Sequence, residues 1–428
     1  LSPGGIFFDS PAPHSLQNFI AAPDHDEKTT EMDSTIHDFF APCPRGLETV
    51  LADELTDLGA AGVKATAGGV AFRGALALCY RVNLQSRIAS RILLRIAEGA
   101  YRDEHDVYGA AHAIRWQDWF TPQQRIKVKV SAHRCPLKSL DFVTLQVKDA
   151  VCDRFQYARG KRPSVDTHAP DILIAVYLDG TTCTLYLDTS GDPLFKRGWR
   201  KSAGEAPIRE NLAAGILRLS KWTPDILLYD PMCGSGTFVV EAALMARRIA
   251  PGIGRHFAFE KLLSFDPQTL NDLRGQLQAA EIGAKPGLIH AADQSAQALT
   301  SIKANLALAG LTEAVTLQQG DVLQLPAPAE AGLLITNPPY GHRMGEGEAL
   351  KTFYPQFGDH LKQHFCGWTI QIVTADMKLP GLLRLAPSRR IPLFNGAIEC
   401  RLFEFRMVAG SLRKPKPQGQ PSHGHGHH

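Results

Sequence analysis

The chain has 428 residues, a length that calls for two or three domains rather than one. Its 44% hydrophobic and 21% charged content suits a folded globular protein, and no apolar run approaches the roughly 20 residues a membrane helix needs. The 8 cysteines form no Cys-x-x-Cys pair and no Cys/His cluster, which argues against structural zinc and a disulfide framework and points to a reducing, cytoplasmic setting with no metal. The net charge of +3 hides a contrast: residues 1–35 hold six acids and one lysine, whereas Arg125 to Arg162 holds ten basic residues against three acids. That concentration favours a polyanion partner, with a solvated basic face as the plain alternative.

Residues 1–35 are rich in Pro, Ser, His and acids and are expected to form a disordered leader. The patch Ile6-Phe7-Phe8 lacks a basic flank and soon meets Pro11, so it reads poorly as a signal peptide, and Met32 is expected to be the true start. From His37, Phe39-Phe40-Ala41 reads as a strand, Glu48 to Leu58 as a helix with apolar spacing at Leu47, Val50, Leu51 and Leu55, Gly68 to Phe72 as a strand, and Leu76 to Gln85 as a helix. Arg125-Ile-Lys-Val-Lys-Val-Ser131 alternates at period two, a half-exposed strand with Arg125, Lys127 and Lys129 on one face. An amphipathic helix over Leu140 to Tyr157 follows, then a hairpin of Asp171 to Tyr177 and Thr182 to Asp188 around Asp179-Gly180.

The carboxyl half repeats strand, loop and helix. Ile226 to Asp230 is a strand, residues 231–237 a glycine-rich turn, and Phe238 to Ile249 a helix; Leu288 to Ala292 leads to Asp293, followed by a helix over Ala296 to Ala309. Val315 to Gln318 leads to Gly320-Asp321, and Gly332 to Thr336 leads to Asn337-Pro338-Pro339-Tyr340. Such alternation implies a parallel sheet with helices on both faces and ligands at the carboxyl ends of its strands, where all the candidate site residues fall. Beyond Arg413 a Pro/Gly-rich, histidine-ending tail (409–428 in the domain reading) is expected to be disordered.

The turn Asp230-Pro-Met-Cys-Gly-Ser-Gly-Thr237 lacks the lysine of a P-loop and the spacing of a dinucleotide fingerprint. Gly234 and Gly236 would let backbone approach an amino-acid moiety, with Asp230 holding its ammonium, Asp293 receiving ribose hydroxyls and Asp321 accepting from an adenine amine. This ordered set describes an S-adenosylmethionine site, taken to include Cys233, Ser235, Thr237 and Asn337. Asn337 offers a carbonyl acceptor, Pro338 and Pro339 remove backbone donors, and Tyr340 supplies a stacking face. Together they suit a planar amine: guanine N2, adenine N6 or a glutamine amide, while a strand-terminating Pro-Pro turn is the bland reading.

Four stretches carry a closer likeness: Asp230 to Ala243, Ala206 to Ala214, Asn337 to Gly341 and Asn395 to Cys400. They resemble the THUMP-containing RNA guanine-N2-methyltransferases, most nearly the L half of the fused bacterial enzyme that modifies 23S ribosomal RNA. Phe39 to Glu48 is similar to that family's ferredoxin-like opening and Leu194 to Arg200 to its junction with the catalytic domain. The resemblance implies an α/β fold with a ferredoxin-like subdomain over 36–95, a THUMP RNA-binding domain over 96–198 and a Rossmann-like class I methyltransferase domain over 199–408. Ala291-Ala292-Asp293 and Ser295 depart from the family's pattern around the second strand, and the activity of the second methyltransferase half of the fused relatives is not expected of these residues.

The activity so implied is methylation of guanosine N2 in 23S ribosomal RNA, with Asn337, Pro338, Pro339 and Tyr340 catalytic. RNA would be gripped by Arg125, Lys127, Lys129, Arg134, Lys138, Arg159, Lys161 and Arg162. The rivals are a transfer-RNA guanine as substrate, adenine N6 in DNA or a glutamine amide, and, in another class, an RNA-binding ribosome assembly factor whose methylation is dispensable.

Overall fold

The structure, a computed structural model, describes residues 20–21, 35–200, 207–339 and 346–408. In β2 (His37–Pro42) alternate residues point inward, and Phe39 stacks on Phe72 of β4 (Gly69–Gly74) with ring centroids 5.1 Å apart. The remaining elements of this half are β1 (Ile20–Ala21), α1 (Glu48–Asp57), β3 (Ala61–Thr66), α2 (Leu76–Gln85), β5 (Leu93–Ala100), α3 (Glu104–Ala113), β6 (Ile126–Ala132), α4 (Leu140–Arg159), β7 (Ile172–Leu178) and β8 (Thr182–Asp188). One sheet runs β3-β4-β2-β5-β8-β7-β6, with β1 added against β5. Its pairs are antiparallel except β6 and β7, which α4 joins as a crossover. Because β5 bonds both β2 and β8, the boundary expected between residues 95 and 96 falls inside a strand.

The helix α4 shows why the local sequence folds as it does. Ser139 caps it by accepting from the Phe142 N–H at 3.2 Å, Gly160 ends it at φ 64°, and Val143, Val147, Ala150, Val151 and Phe155 form its buried stripe.

The carboxyl half contains α5 (Glu210–Leu219), β9 (Leu228–Asp230), α6 (Thr237–Ala246), α7 (Pro267–Ala279), β10 (Ile289–Asp293), α8 (Ala296–Leu308), β11 (Thr316–Gln319), β12 (Leu333–Thr336), α9 (Glu346–His364), β13 (Thr369–Thr374), α10 (Leu379–Leu383), β14 (Arg389–Asn395) and β15 (Ile398–Arg406). Its sheet order is β11-β10-β9-β12-β13-β15-β14, with every pair parallel except those made by β15. The chain moves outward from β9 through β10 and β11, then returns to place β12 on the other side of β9. That reversal leaves a crevice at the carboxyl ends of β9 and β12, the usual ligand position in such a sheet. The α/β class with a Rossmann-like carboxyl half therefore matches expectation.

The halves are packed tightly. A β-carbon on Gly215 of α5 would lie 2.3 Å from Leu47 Cδ1, so the absence of a side chain lets the first half close on the second. Arg197 donates from Nε to Glu241 at 3.2 Å and from Nη2 to the Arg87 carbonyl at 2.6 Å, with almost no solvent exposure of either ionic side chain. Asn211 donates to the Ile88 carbonyl at 3.1 Å. Among the described residues, no helix is long and apolar enough to cross a membrane.

Candidate active site

The strand β9 is buried throughout, so Asp230 reaches the crevice at the sheet's edge with only 2% of its surface exposed. The turn that follows is tied to β10: the Cys233 N–H donates to the Ala292 carbonyl at 3.0 Å and the Gly234 N–H to Asp293 Oδ2 at 2.9 Å. Gly234, at φ 53°, has open space where a side chain would be. Gly236 differs. At φ 84° it begins α6, and a β-carbon there would lie 2.5 Å from Ile302, so this glycine serves the contact of the turn with α8 and not an approach to a ligand.

A cavity of about 190 Å³ opens between this turn and β12. Asp230, Met232, Cys233, Gly234, Ser235, Thr237 and Phe238 line it on one side, Asn337 on the other, and Pro207 and Ile208 close it. The structure thus brings Asp230, Cys233, Gly234, Ser235, Thr237 and Asn337 together. Asp293 and Asp321 stand further along the same sheet edge and do not line the cavity. Both Asp293 oxygens already accept backbone N–H groups, from Gly234 and from Ser295 at 2.9 Å each, and Asp321 Oδ1 accepts from Leu323 at 2.9 Å. Their remaining lone pairs are what a ribose or an amine could use.

Burial pushes the Asp230 carboxyl up to about 7, while the Thr336 hydroxyl and the Met232 N–H, 3.3 Å away, act in the opposite direction. Among the described residues no basic side chain is ion-paired with it. The site therefore holds a buried carboxyl whose ionised form a neighbouring cation would stabilise. Burial also raises the Cys233 thiol, leaving it a packing group. Among the described residues no group of three or more His, Cys, Asp or Glu side chains is arranged to hold a metal.

The four residues of β12 are buried, Asn337 is half-buried, Pro338 is buried and Pro339 is exposed. The Pro339 carbonyl accepts the Tyr354 hydroxyl at 2.7 Å, which pins the segment to α9; Asn337 lines the cavity, whereas buried Pro338 does not. Tyr340 lies outside the described residues.

Several contributors were not among the expected site residues. Arg200 donates to Ser235 Oγ at 3.0 Å and Thr237 Oγ1 at 2.8 Å while its Nε bonds Glu210 at 2.7 Å, so both hydroxyls of the turn face an arginine. Asn305 donates to the Ser235 carbonyl at 3.0 Å, and Asn395 Nδ2 to the Pro207 carbonyl at 3.1 Å. Arg200 and Asn395 lie in the stretches that resembled the family, but Asn305 and Tyr354 meet the site only through tertiary packing.

The basic face of the first half needs revision. Buried Ile126 and Val128 do place Arg125, Lys127 and Lys129 on the opposite face of β6. Arg125, however, is engaged by Asp166 at 2.8 Å and Asp171 at 3.2 Å, Arg162 by Asp153 at 2.7 Å, and Lys127 Nζ by the Thr167 carbonyl at 2.7 Å. Lys129, Arg134, Lys138, Arg159 and Lys161 are exposed and make no ion pair among the described residues. These five are the better placed for a polyanion.

Comparison with known proteins places these features. The RMKL-like methyltransferase domain model matches residues 197–404, the THUMP domain model 101–188 and the RlmL ferredoxin-like domain model 38–93. A protein of Synechocystis sp. that carries the provisional name RNA methyltransferase is 37% identical, over 89% of this chain and 99% of its own. The ribosomal RNA large subunit methyltransferase K/L of Aeromonas hydrophila is 38% identical over 90% of this chain and 56% of its own, so the chain spans about half the length of such relatives. Among solved structures, SMU.472, provisionally a methyltransferase and complexed with SAH, is 27% identical with TM-score 0.80, covering 88% of this chain and 99% of its own. A Listeria monocytogenes protein named for N6-adenine DNA methylation is 28% identical with TM-score 0.79, covering 87% of this chain and 96% of its own.

Proposed function

The chain belongs to the RMKL-like methyltransferases that carry RlmL-type ferredoxin-like and THUMP domains, and from that premise we propose that it methylates the exocyclic N2 amine of a guanosine in 23S ribosomal RNA, with S-adenosylmethionine as cofactor. The observation that carries the reading is the meeting of Asp230 and Asn337 in one cavity at the switch point of the sheet.

The residues present fit the cofactor. Asp230, buried and without a cationic partner among the described residues, would hold its ammonium group; open Gly234 would admit its amino-acid backbone; Asp293 and Asp321 would take the ribose and the adenine. When bound, it supplies an electrophilic methyl group on a sulfonium. The chain's own task is position. A guanine N2 lone pair is conjugated with the ring, so the Asn337 side-chain oxygen and the Pro338 carbonyl would each accept one N–H of the amine and turn the lone pair out of conjugation. Tyr354 stiffens this segment through the Pro339 carbonyl. Alignment of this kind can lower a barrier by about 7 kcal/mol or more. The base must leave its stack to reach the cavity, and the exposed Lys129, Arg134, Lys138, Arg159 and Lys161 would hold the flanking RNA.

The Listeria protein's name makes adenine N6 the competing amine, and transfer RNA the competing guanine source. Incubation of the purified chain with labelled cofactor and ribosomal RNA, transfer RNA or DNA, followed by mass spectrometric mapping, separates them: N2-methylguanosine in 23S RNA is expected, and its absence alongside N6-methyladenine or methylated transfer RNA would refute the proposal. Asn337→Ala is expected to lower transfer by at least about a hundredfold while S-adenosylhomocysteine binding, followed by calorimetry, stays near normal.

A further inference from the structure

A second, larger cavity of about 490 Å³ lies where the two halves meet, lined by Cys43, Pro44, Arg45 and Ser90 from the first and Arg209, Phe394, Gly396 and Ala397 from the second. Neither half forms it alone. Its arginines are exposed yet held in place: the Arg45 guanidinium lies over the Phe394 ring at 5.5 Å and the Arg209 guanidinium over Phe195 at 4.9 Å. Arg209 also lies so close to Gly396 that a β-carbon there would come within 2.9 Å of its Nη2. A guanidinium held over a ring has part of its freedom already restricted, so it binds a phosphate with less loss of side-chain freedom than a free arginine.

The acidic neighbour Glu48 makes no ion pair with either arginine among the described residues. Both Glu48 oxygens accept backbone N–H groups, from Gly46 at 2.8 Å and from Gly68 at 3.0 Å. Residues 207–209 form the wall between this cavity and the one containing Asp230 and Asn337. Asn395 clasps that wall, donating to the Pro207 carbonyl at 3.1 Å and accepting from the Arg209 N–H at 3.4 Å.

We propose that this interdomain cavity is a phosphate-backbone subsite for single-stranded RNA, in which Arg45 and Arg209 grip the nucleotides next to the one whose base enters the catalytic cavity. The inference rests on the reading that RNA is the substrate, but not on which base or atom is methylated. A cavity built from both halves would couple the grip of the first half to the chemistry of the second, because the RNA can fill it only when it spans the two.

The test is a filter-binding titration of the full chain with transcribed 23S RNA at several salt concentrations. Arg45→Ala/Arg209→Ala should weaken binding about tenfold and reduce the slope of log affinity against log salt by about 1.4, the value for two lost single-strand phosphate contacts. Arg45→Lys/Arg209→Lys should restore the slope but only part of the affinity, since the charge returns without the stacked fork. Lys285→Ala/Lys303→Ala, which removes the same charge from exposed sites elsewhere, should leave the slope unchanged, and S-adenosylhomocysteine binding should be normal in all three. An unaltered slope and affinity in the arginine-to-alanine pair, or an equal loss in the lysine control, would overturn the subsite. Mapping that finds a methylated base other than guanine, with the arginine effect intact, would refute the guanine reading and leave the subsite standing.

Discussion

Asp230 is the residue whose chemistry can be followed most directly. Its carboxyl is pushed up to about 7 from an ordinary value of 3.8, so between those two pH values the folded protein holds a proton there that the unfolded chain releases. Stability from this group is therefore fully present below pH 3.8 and is lost as pH rises through about 7. A cationic ligand reverses the preference by stabilising the ionised form. Affinity for S-adenosylhomocysteine is accordingly expected to rise by up to about tenfold per pH unit approaching pH 7 and then level off. Asp230→Asn should weaken binding and flatten that rise, while its thermal midpoint, followed by calorimetry from pH 4 to 8, should lose less on going to high pH than the wild type's. A rise of equal steepness in Asp230→Asn would place the titration elsewhere.

The element that carries the site is the turn between β9 and α6, and its two glycines should respond differently to the same substitution. Gly234→Ala meets no neighbour and incurs only the penalty of a left-handed residue, about 1 kcal/mol. Gly236→Ala adds a collision with Ile302 to a similar penalty, and overpacking of that kind costs a further 1–3 kcal/mol or so. Urea denaturation is expected to rank them in that order, with Ile302→Ala rescuing part of the Gly236→Ala loss relative to its own background. Both glycines were visible in the sequence, but which one has open space beside it was not, because that depends on a side chain 66 positions away on α8. The strands β9, β10 and β12 were legible for the opposite reason: parallel strands buried on both faces read as short apolar runs ending in Asp or Asn. The helix α9 contains Pro355 and β14 contains Pro392, and prolines inside elements erase the local pattern by which such segments are recognised.

For the molecule as a whole, the question is whether the two halves are separable. Sequence suggested modules in a row, and the domain models match consecutive segments; the packing between them runs through charges, which no local pattern reveals. Glu54 is buried and accepts from the Arg87 N–H at 2.6 Å, Arg87 in turn donates from Nη2 to the Ile249 carbonyl at 2.6 Å, and Arg197 links the Arg87 carbonyl to Glu241. Arg255 reinforces the junction by donating to the carbonyls of Asp192, Pro193, Leu194 and Lys196 at 2.8 to 3.1 Å. A buried pair of this kind need not stabilise more than apolar residues would, yet removing one partner strands the other without water. Arg197→Ala is therefore expected to cost about 3–5 kcal/mol, and more than Glu241→Gln, which keeps an amide oxygen to accept from Arg197 and leaves that guanidinium bonded to the Leu194 and Arg87 carbonyls. Because that charge network and the Gly215 contact cross the boundary, the wild type should unfold in one urea transition whether monitored by Trp fluorescence or by far-ultraviolet circular dichroism. If Arg197→Ala instead separates two transitions, the junction is what makes the halves one cooperative unit; if the wild type already shows two, the interface adds too little to couple them, and the composite cavity at Arg45 and Arg209 would have to assemble on RNA rather than stand ready for it.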